Sequence, residues 1–233
     1  MLAFFSTVAL IEFYGMVGIK GPLRYAGLLC GGAVMAVYFM AQQQFMDALL
    51  LSALFIMALR LFMKRDAARS LSETAATILG ILYVPGLLSF QLSLAKAGPA
   101  LIILLYSSVW AADSAAYYVG KGMGKRKLYK EISPNKTVAG AVGSVLGGAA
   151  GACIIRGLLL PQLTLNQAVI LGLSVGVTTI VGDLVESMFK RDAGIKDSGA
   201  IIPGHGGVLD KIDGVTFAGP AFYWLCRGLG IIV

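Results

Sequence analysis

The sequence predicts an all-α, polytopic membrane protein of about eight transmembrane helices. Three observations carry that prediction. First, 58% of the 233 residues are hydrophobic, only 13% are charged, and the mean hydropathy is +0.81. A soluble domain carries about 25% charged residues, so too few polar side chains are present to cover a soluble globule. Second, the apolar residues run in long blocks, not in the alternation of a transmembrane β-barrel. Third, the nineteen Lys and Arg residues, which leave a net charge of +7, fall mostly between those blocks. The same figures exclude a disordered chain, a coiled coil and a charged nucleic-acid-binding domain. Cys30, Cys153 and Cys226 sit in apolar stretches without ligand spacing, so neither a zinc site nor a disulfide framework is predicted.

A spanning helix needs about 20 mostly apolar residues, and eight segments qualify: 1–19, 23–41, 45–62, 71–91, 98–119, 137–158, 166–187 and 214–233. The first has no basic leader and is interrupted by Glu12, so it is not a signal peptide. The first four spans carry Met and aromatic residues that suit packing or lipid contact. The fifth ends with Asp113. In the sixth, Gly140, Gly143, Gly147 and Gly151 form a small-residue face for close helix packing. The seventh contains Asp183 and Glu186. Carboxylates inside spans are costly, so Glu12, Asp113, Asp183 and Glu186 are functional candidates; no role follows for Glu12 from the sequence.

Alternate connections separate the basic residues by side. Sixteen fall on one side: Lys20 and Arg24; Arg60, Lys64, Arg65 and Arg69; Lys121, Lys125, Arg126, Lys127, Lys130 and Lys136; Lys190, Arg191, Lys196 and Lys211. Only Lys96, Arg156 and Arg227 fall on the other. The positive-inside rule puts the two long basic loops in the cytoplasm. Eight spans then leave both termini outside, and an exposed N-terminus without a leader leads to the expectation that a further N-terminal span is missing from this chain. The chain changes character near residue 95. Residues 1–95 read as N-terminal helices and 96–233 as a C-terminal catalytic region, within one membrane domain.

Chemistry concentrates in 182–214. Asp183, Glu186, Ser187 and Lys190 lie at i, i+3, i+4 and i+7, on one helical face. Asp210 and Asp213 share a face at the start of the last span. Three carboxylates, Asp183, Asp210 and Asp213, would offer hard oxygens suited to Mg²⁺, which leaves other positions to water and phosphate. Between them, Pro203-Gly204-His205-Gly206-Gly207 is a turn whose amides suit an anion. Lys190, Arg191 and Lys196 add positive charge, although a solvated basic loop would look the same taken alone. Metal-binding acids, amides and cations together point to phosphoryl or nucleotidyl transfer. His205, the one histidine, reads as a hydrogen-bonding group, with no proton transfer implied.

A second segment covers 110–143. Asp113 and Tyr117 share a helical face, and Gly120, Gly122 and Gly124 read as a flexible turn. No strand precedes them and no Gly-Lys-Ser/Thr follows, which excludes Rossmann and P-loop sites. Ser133-Pro134-Asn135-Lys136-Thr137 opens the sixth span, where Ser or Asn would cap the helix and its N-terminus could receive a phosphate. An ordinary cap beside a positive-inside loop is the alternative.

Ser187 followed by Lys190-Arg191, Lys196-Asp197, Pro203-Gly204-His205-Gly206-Gly207 and Asp210-Lys211-Ile212-Asp213 resembles the signature of the phosphatidate cytidylyltransferases, or CDP-diacylglycerol synthases. The Asp113 region and Ser133–Thr137 resemble that family too. The resemblance is specific over about 105–215. Position 211 departs from it, being Lys where the family usually has Arg, and Lys lacks the bidentate fork. The resemblance implies transfer of CMP from CTP to phosphatidic acid, giving CDP-diacylglycerol and pyrophosphate in phospholipid biosynthesis. It implies Mg²⁺, a second cation such as K⁺, and a homodimer in the lipid bilayer with no nucleic acid. It carries metal roles onto Asp183, Asp210 and Asp213, a catalytic role onto Lys190, and substrate contacts onto Asp113, Ser133, Asn135, Lys136, Thr137, Ser187, Arg191, Lys196, Asp197, His205, Gly206, Gly207 and Lys211. The expected location is a bacterial-type inner or plasma membrane, with the site facing the cytoplasm. A CTP-dependent polyprenol or phytol kinase and a membrane transporter are the rival functions.

Overall fold

A computed structural model describes residues 1–63, 66–199 and 206–232. Its elements run α1 (Leu2–Met16), α2 (Pro22–Met40), α3 (Phe45–Phe62), α4 (Ser70–Ile81), a π-helical turn (Leu82–Gly86), α5 (Phe90–Ala97), α6 (Pro99–Met123), β1 (Lys127–Tyr129), β2 (Ser133–Thr137), α7 (Val138–Leu159), α8 (Leu165–Asp192) and α9 (Leu209–Gly228). The protein is an all-α polytopic membrane protein, with one short antiparallel hairpin, β1–β2, among its described residues.

Six helices among the described residues are long and apolar enough to cross a membrane: Pro22–Met40, Gln42–Phe62, Ala67–Ala97, Pro99–Met123, Val138–Leu159 and Leu165–Asp192. The sequence predicted eight. The two that drop out are the first and the last. The 15 residues of α1 extend about 22 Å at 1.5 Å per residue, short of the roughly 30 Å hydrocarbon core. Helix α9 has the length, but its first turns hold Asp210, Lys211 and Asp213.

The chain divides into two compact units: Met1–Leu92 with Ala193–Lys211, and Ser93–Asp192 with Ile212–Val233. In the first unit, α1 packs through Phe13 and Tyr14, both fully buried. The Tyr14 hydroxyl donates to the Thr77 carbonyl at 2.9 Å, which ties α1 to α4. Gly80 makes room for that ring: a Cβ there would lie 2.5 Å from Tyr14 Cε1. Pro85 lacks an N–H and breaks the α-helical ladder. The chain answers with the π-turn, and the Ser89 hydroxyl donates to the Pro85 carbonyl at 2.6 Å. The buried Arg60 pairs with Glu73 at 2.9 Å and donates to the Asp66 carbonyl at 2.6 Å.

The second unit is built on glycine contacts. Gly143, Gly147 and Gly151 of α7 lie against Ala115, Ala111 and Ser107–Ser108 of α6, the close packing the sequence predicts. The opposite side of α7 meets α8 equally closely. A Cβ on Gly148 would lie 2.5 Å from the Gly172 carbonyl, and one on Gly176 would lie 2.5 Å from Val145 Cα. The Ser144 hydroxyl donates to the Gly176 carbonyl at 3.1 Å across the same seam. Further along α8, Gly182 allows the backbone of Asp213 on α9 to come close.

Candidate active site

Four elements of the second unit bring titratable side chains together. Asp113 comes from α6, Lys136 from β2, Asp183 and Lys190 from α8, and Asp213 from α9. Lys136 forms an ion pair with Asp183, and both remain partly exposed. The charge of Asp183 acts on both Asp113 and Asp213, that of Lys136 on Asp113, and that of Lys190 on Asp213. The Ser187 hydroxyl donates to Asp183 Oδ1 at 3.3 Å, one helical turn away. The Gly214 N–H donates to Asp213 Oδ1 at 2.7 Å.

Lys190 is paired with Glu186 at 2.5 Å, and the Glu186 side chain is fully buried. The i, i+4 spacing already placed both on one face, but the sequence did not identify Glu186 as the partner of Lys190. Arg191 reaches the hairpin: its Nε donates to the Ile132 carbonyl at 3.2 Å. The basic end of α8 is thereby tied to the turn that leads into the strand carrying Lys136.

Two local expectations change. Ser133 and Asn135 do not cap the sixth span; they lie in β2. The cap of α7 is Thr137, whose Oγ1 accepts the Gly140 N–H at 3.0 Å. Gly120 and Gly122 do not form a turn, because α6 continues to Met123. Gly120 is needed for close approach to the cap, since a Cβ there would lie 3.1 Å from Thr137 Oγ1.

The first unit holds the remaining candidates. Lys196, Asp197, Gly206 and Gly207 lie in 193–211, and Lys211 is exposed in the first turn of α9. Gly206 has φ +84, in the left-handed region that favours glycine. Asp210 Oδ2 accepts from the Gly207 N–H at 2.7 Å, the Ser198 N–H at 3.1 Å and the Ser198 hydroxyl at 3.0 Å. The Gly207 amide, expected to face an anionic ligand, is therefore directed at a carboxylate of the chain itself. His205, with Pro203 and Gly204, lies outside the described residues.

Among the described residues, no three His, Cys, Asp or Glu side chains converge closely enough to hold a metal on their own. The donor chemistry nevertheless fits Mg²⁺, which usually binds one or two carboxylates and completes its shell with water and phosphate oxygens. Asp183 and Asp213, which come near each other where Gly182 meets the Asp213 backbone, supply such a pair.

The chain is 45% identical over 131 residues to a phosphatidate cytidylyltransferase of Synechocystis sp., covering 54% of this chain and 43% of the relative. It is 45% identical over 119 residues to one of Bacillus subtilis, covering 50% and 44%. It is also 38% identical over 151 residues to the uncharacterized protein YnbB of Escherichia coli, covering 65% and 50%. The chain thus spans about half the length of the curated relatives it matches. The model of the cytidylyltransferase family matches residues 1–229, nearly the full length, and the chain belongs to that family.

Proposed function

We propose that this protein transfers CMP from CTP to phosphatidic acid, releasing pyrophosphate and forming CDP-diacylglycerol. The observation that carries this is the meeting of Lys136 from the hairpin with the carboxylates Asp113, Asp183 and Asp213 and the cation Lys190. Charges of both signs, drawn from segments far apart in sequence, suit a polyphosphate and its counter-ion. Relatives named phosphatidate cytidylyltransferase supply the substrates.

In this reaction an oxygen of the lipid phosphate attacks the α-phosphorus of CTP in line. A new P–O bond forms as the bond to the bridging oxygen breaks, and pyrophosphate leaves with the electron pair. The nucleophile is already an anion, so no serine or cysteine nucleophile is needed. Catalysis is then mainly positioning and charge neutralisation. Lys136, Lys190, Arg191 and Lys196 neutralise phosphate charge. Asp183 and Asp213 would hold Mg²⁺; Asp210, whose Oδ2 accepts from Gly207 and Ser198, stays a metal candidate on the strength of the family signature. The ion, when bound, offsets the charge developing on phosphate oxygens. Ser133 and Asn135 offer neutral donors, and Asp113, Ser187, Asp197, His205, Gly206 and Lys211 stay as substrate contacts on the strength of the family signature. A second cation such as K⁺, a homodimer and a cytoplasmic site belong to the same proposal.

The experiment is turnover of radiolabelled CTP by the detergent-solubilised protein with phosphatidic acid. Labelled CDP-lipid with equimolar pyrophosphate supports the transfer. Release of CDP with a phosphorylated lipid alcohol would instead identify a kinase.

A further inference from the structure

Glu12 stands inside an apolar helix, and the reaction proposed above does not use it. Its side chain is buried, at 6% exposure. Oε1 accepts the Val208 N–H at 3.0 Å and Oε2 accepts the Leu209 N–H at 2.8 Å. Both bonds bridge nearly two hundred residues of sequence, within one compact unit. Two glycines close around the same carboxylate. A Cβ on Gly199 would lie 2.6 Å from Oε1, 2.9 Å from Cδ and 3.2 Å from Cγ, so its three nearest neighbours all belong to Glu12. A Cβ on Gly207 would lie 2.6 Å from Oε2 and 2.7 Å from Cδ.

We propose that Glu12 is a positioning residue that pins both shoulders of the glycine-rich segment, residue 199 on one side and residues 207–209 on the other. The two carboxylates divide the work. Asp210 takes the Gly207 and Ser198 amides, and Glu12 takes the next two, Val208 and Leu209. A buried carboxylate is costly unless it is hydrogen-bonded or paired. An apolar side chain would fill the space at lower cost, but it could not accept two successive N–H groups or hold them in direction. The start of a helix also favours a negative charge, which offsets part of the burial. The consequence is that Asp210, in the first turn of α9 and in the same compact unit, inherits its placement from α1.

A double-mutant cycle tests this on the full chain. The variants are Glu12→Ala, Gly199→Ala, the pair together, and Glu12→Gln. Unfolding midpoints in detergent are read first. Gly199→Ala is expected to lower the midpoint in the native background and to have little effect once Glu12 is Ala, because the atoms it strikes are gone. Additive effects overturn the proposal. The second readout is kcat and KM with CTP and phosphatidic acid, and it rests on the reaction proposed above. Glu12→Gln keeps the size but turns one acceptor into a donor facing an N–H. It is expected to lower kcat on the order of 10²-fold with KM for CTP unchanged, whereas a merely structural residue would leave the folded fraction at native kcat. Native kcat in Glu12→Gln overturns the positioning role. If the native protein turns over no CTP with phosphatidic acid, the proposed reaction fails, and the midpoint cycle alone decides the role of Glu12.

Discussion

Replacing Lys136 with Met separates a structural ion pair from a phosphate-binding cation, because the two roles differ in size. The Lys136–Asp183 pair is 22% and 40% exposed at its two side chains. A pair screened to that extent stabilises a fold by about 0.2–1 kcal/mol. At roughly 2–4 °C per kcal/mol for a chain of this length, the unfolding midpoint should fall by no more than about 4 °C. A cation aimed at charge that develops in the transition state is worth more, about 10²–10³ in rate, or roughly 2.7–4 kcal/mol. Lys136→Met is therefore expected to lose about 10²–10³ in kcat/KM for CTP while unfolding almost normally. Lys136→Arg, which keeps the charge, should recover most of the loss. The assay is pyrophosphate release by protein in detergent micelles, alongside a thermal melt of the same preparation. A rate loss of under about fivefold, which is all that 1 kcal/mol of lost stability could account for, would remove Lys136 from the catalytic proposal.

Asp183→Asn and Asp213→Asn should each lower CDP-lipid formation by about 10²–10³-fold and raise the Mg²⁺ concentration needed for half-maximal residual turnover; an unchanged Mg²⁺ titration with retained activity would contradict the metal assignment. Chelation of divalent ions should stop turnover by the native protein, and added Mg²⁺ should restore it. Gly176→Ala places a Cβ against the Val145 backbone, which cannot yield as a side-chain tip does. It should cost about 1–3 kcal/mol by thermal melt, whereas Gly157→Ala, with nothing within 4 Å, should leave the midpoint unchanged or raise it. Thr137→Ala removes the cap of α7 and should cost about 1 kcal/mol, read as a midpoint shift of a few degrees.

Much of the fold and part of the site were legible in the sequence, and each success has a local cause. Apolar runs of 19 to 31 residues announce spanning helices by length alone. The four-residue spacing of Gly143, Gly147 and Gly151 predicted close helix packing, because small residues on one helical face have few other uses; the structure supplies α6 as the partner. The spacing of Asp183, Ser187 and Lys190 likewise placed them together, since a helix fixes which residues share a face. Errors arose where the deciding partner is distant or the pattern is short. β1 has only three residues, too few to show a period, so the hairpin and the shift of the cap from Ser133 or Asn135 to Thr137 were not visible. Gly120 and Gly122 suggested a turn because glycine disfavours helix; in the fold they are tolerated, and Gly120 opens room for the Thr137 cap.

What the sequence by itself determined is the environment and the family of parts: a helical membrane protein whose few carboxylates lie beside cations and glycines in one long signature. Hydropathy and helical periodicity are properties of neighbouring residues, so they survive without coordinates. Only the tertiary structure decided the partners. It set Lys136 on Asp183, tied Arg191 to the Ile132 carbonyl, and directed the Gly207 amide to Asp210. It also explained Glu12, whose cost in an apolar helix was plain from the sequence but whose benefit lies at residues 208 and 209. Hydrogen bonds and ion pairs between distant segments depend on distance in space, and no spacing along the chain encodes that distance.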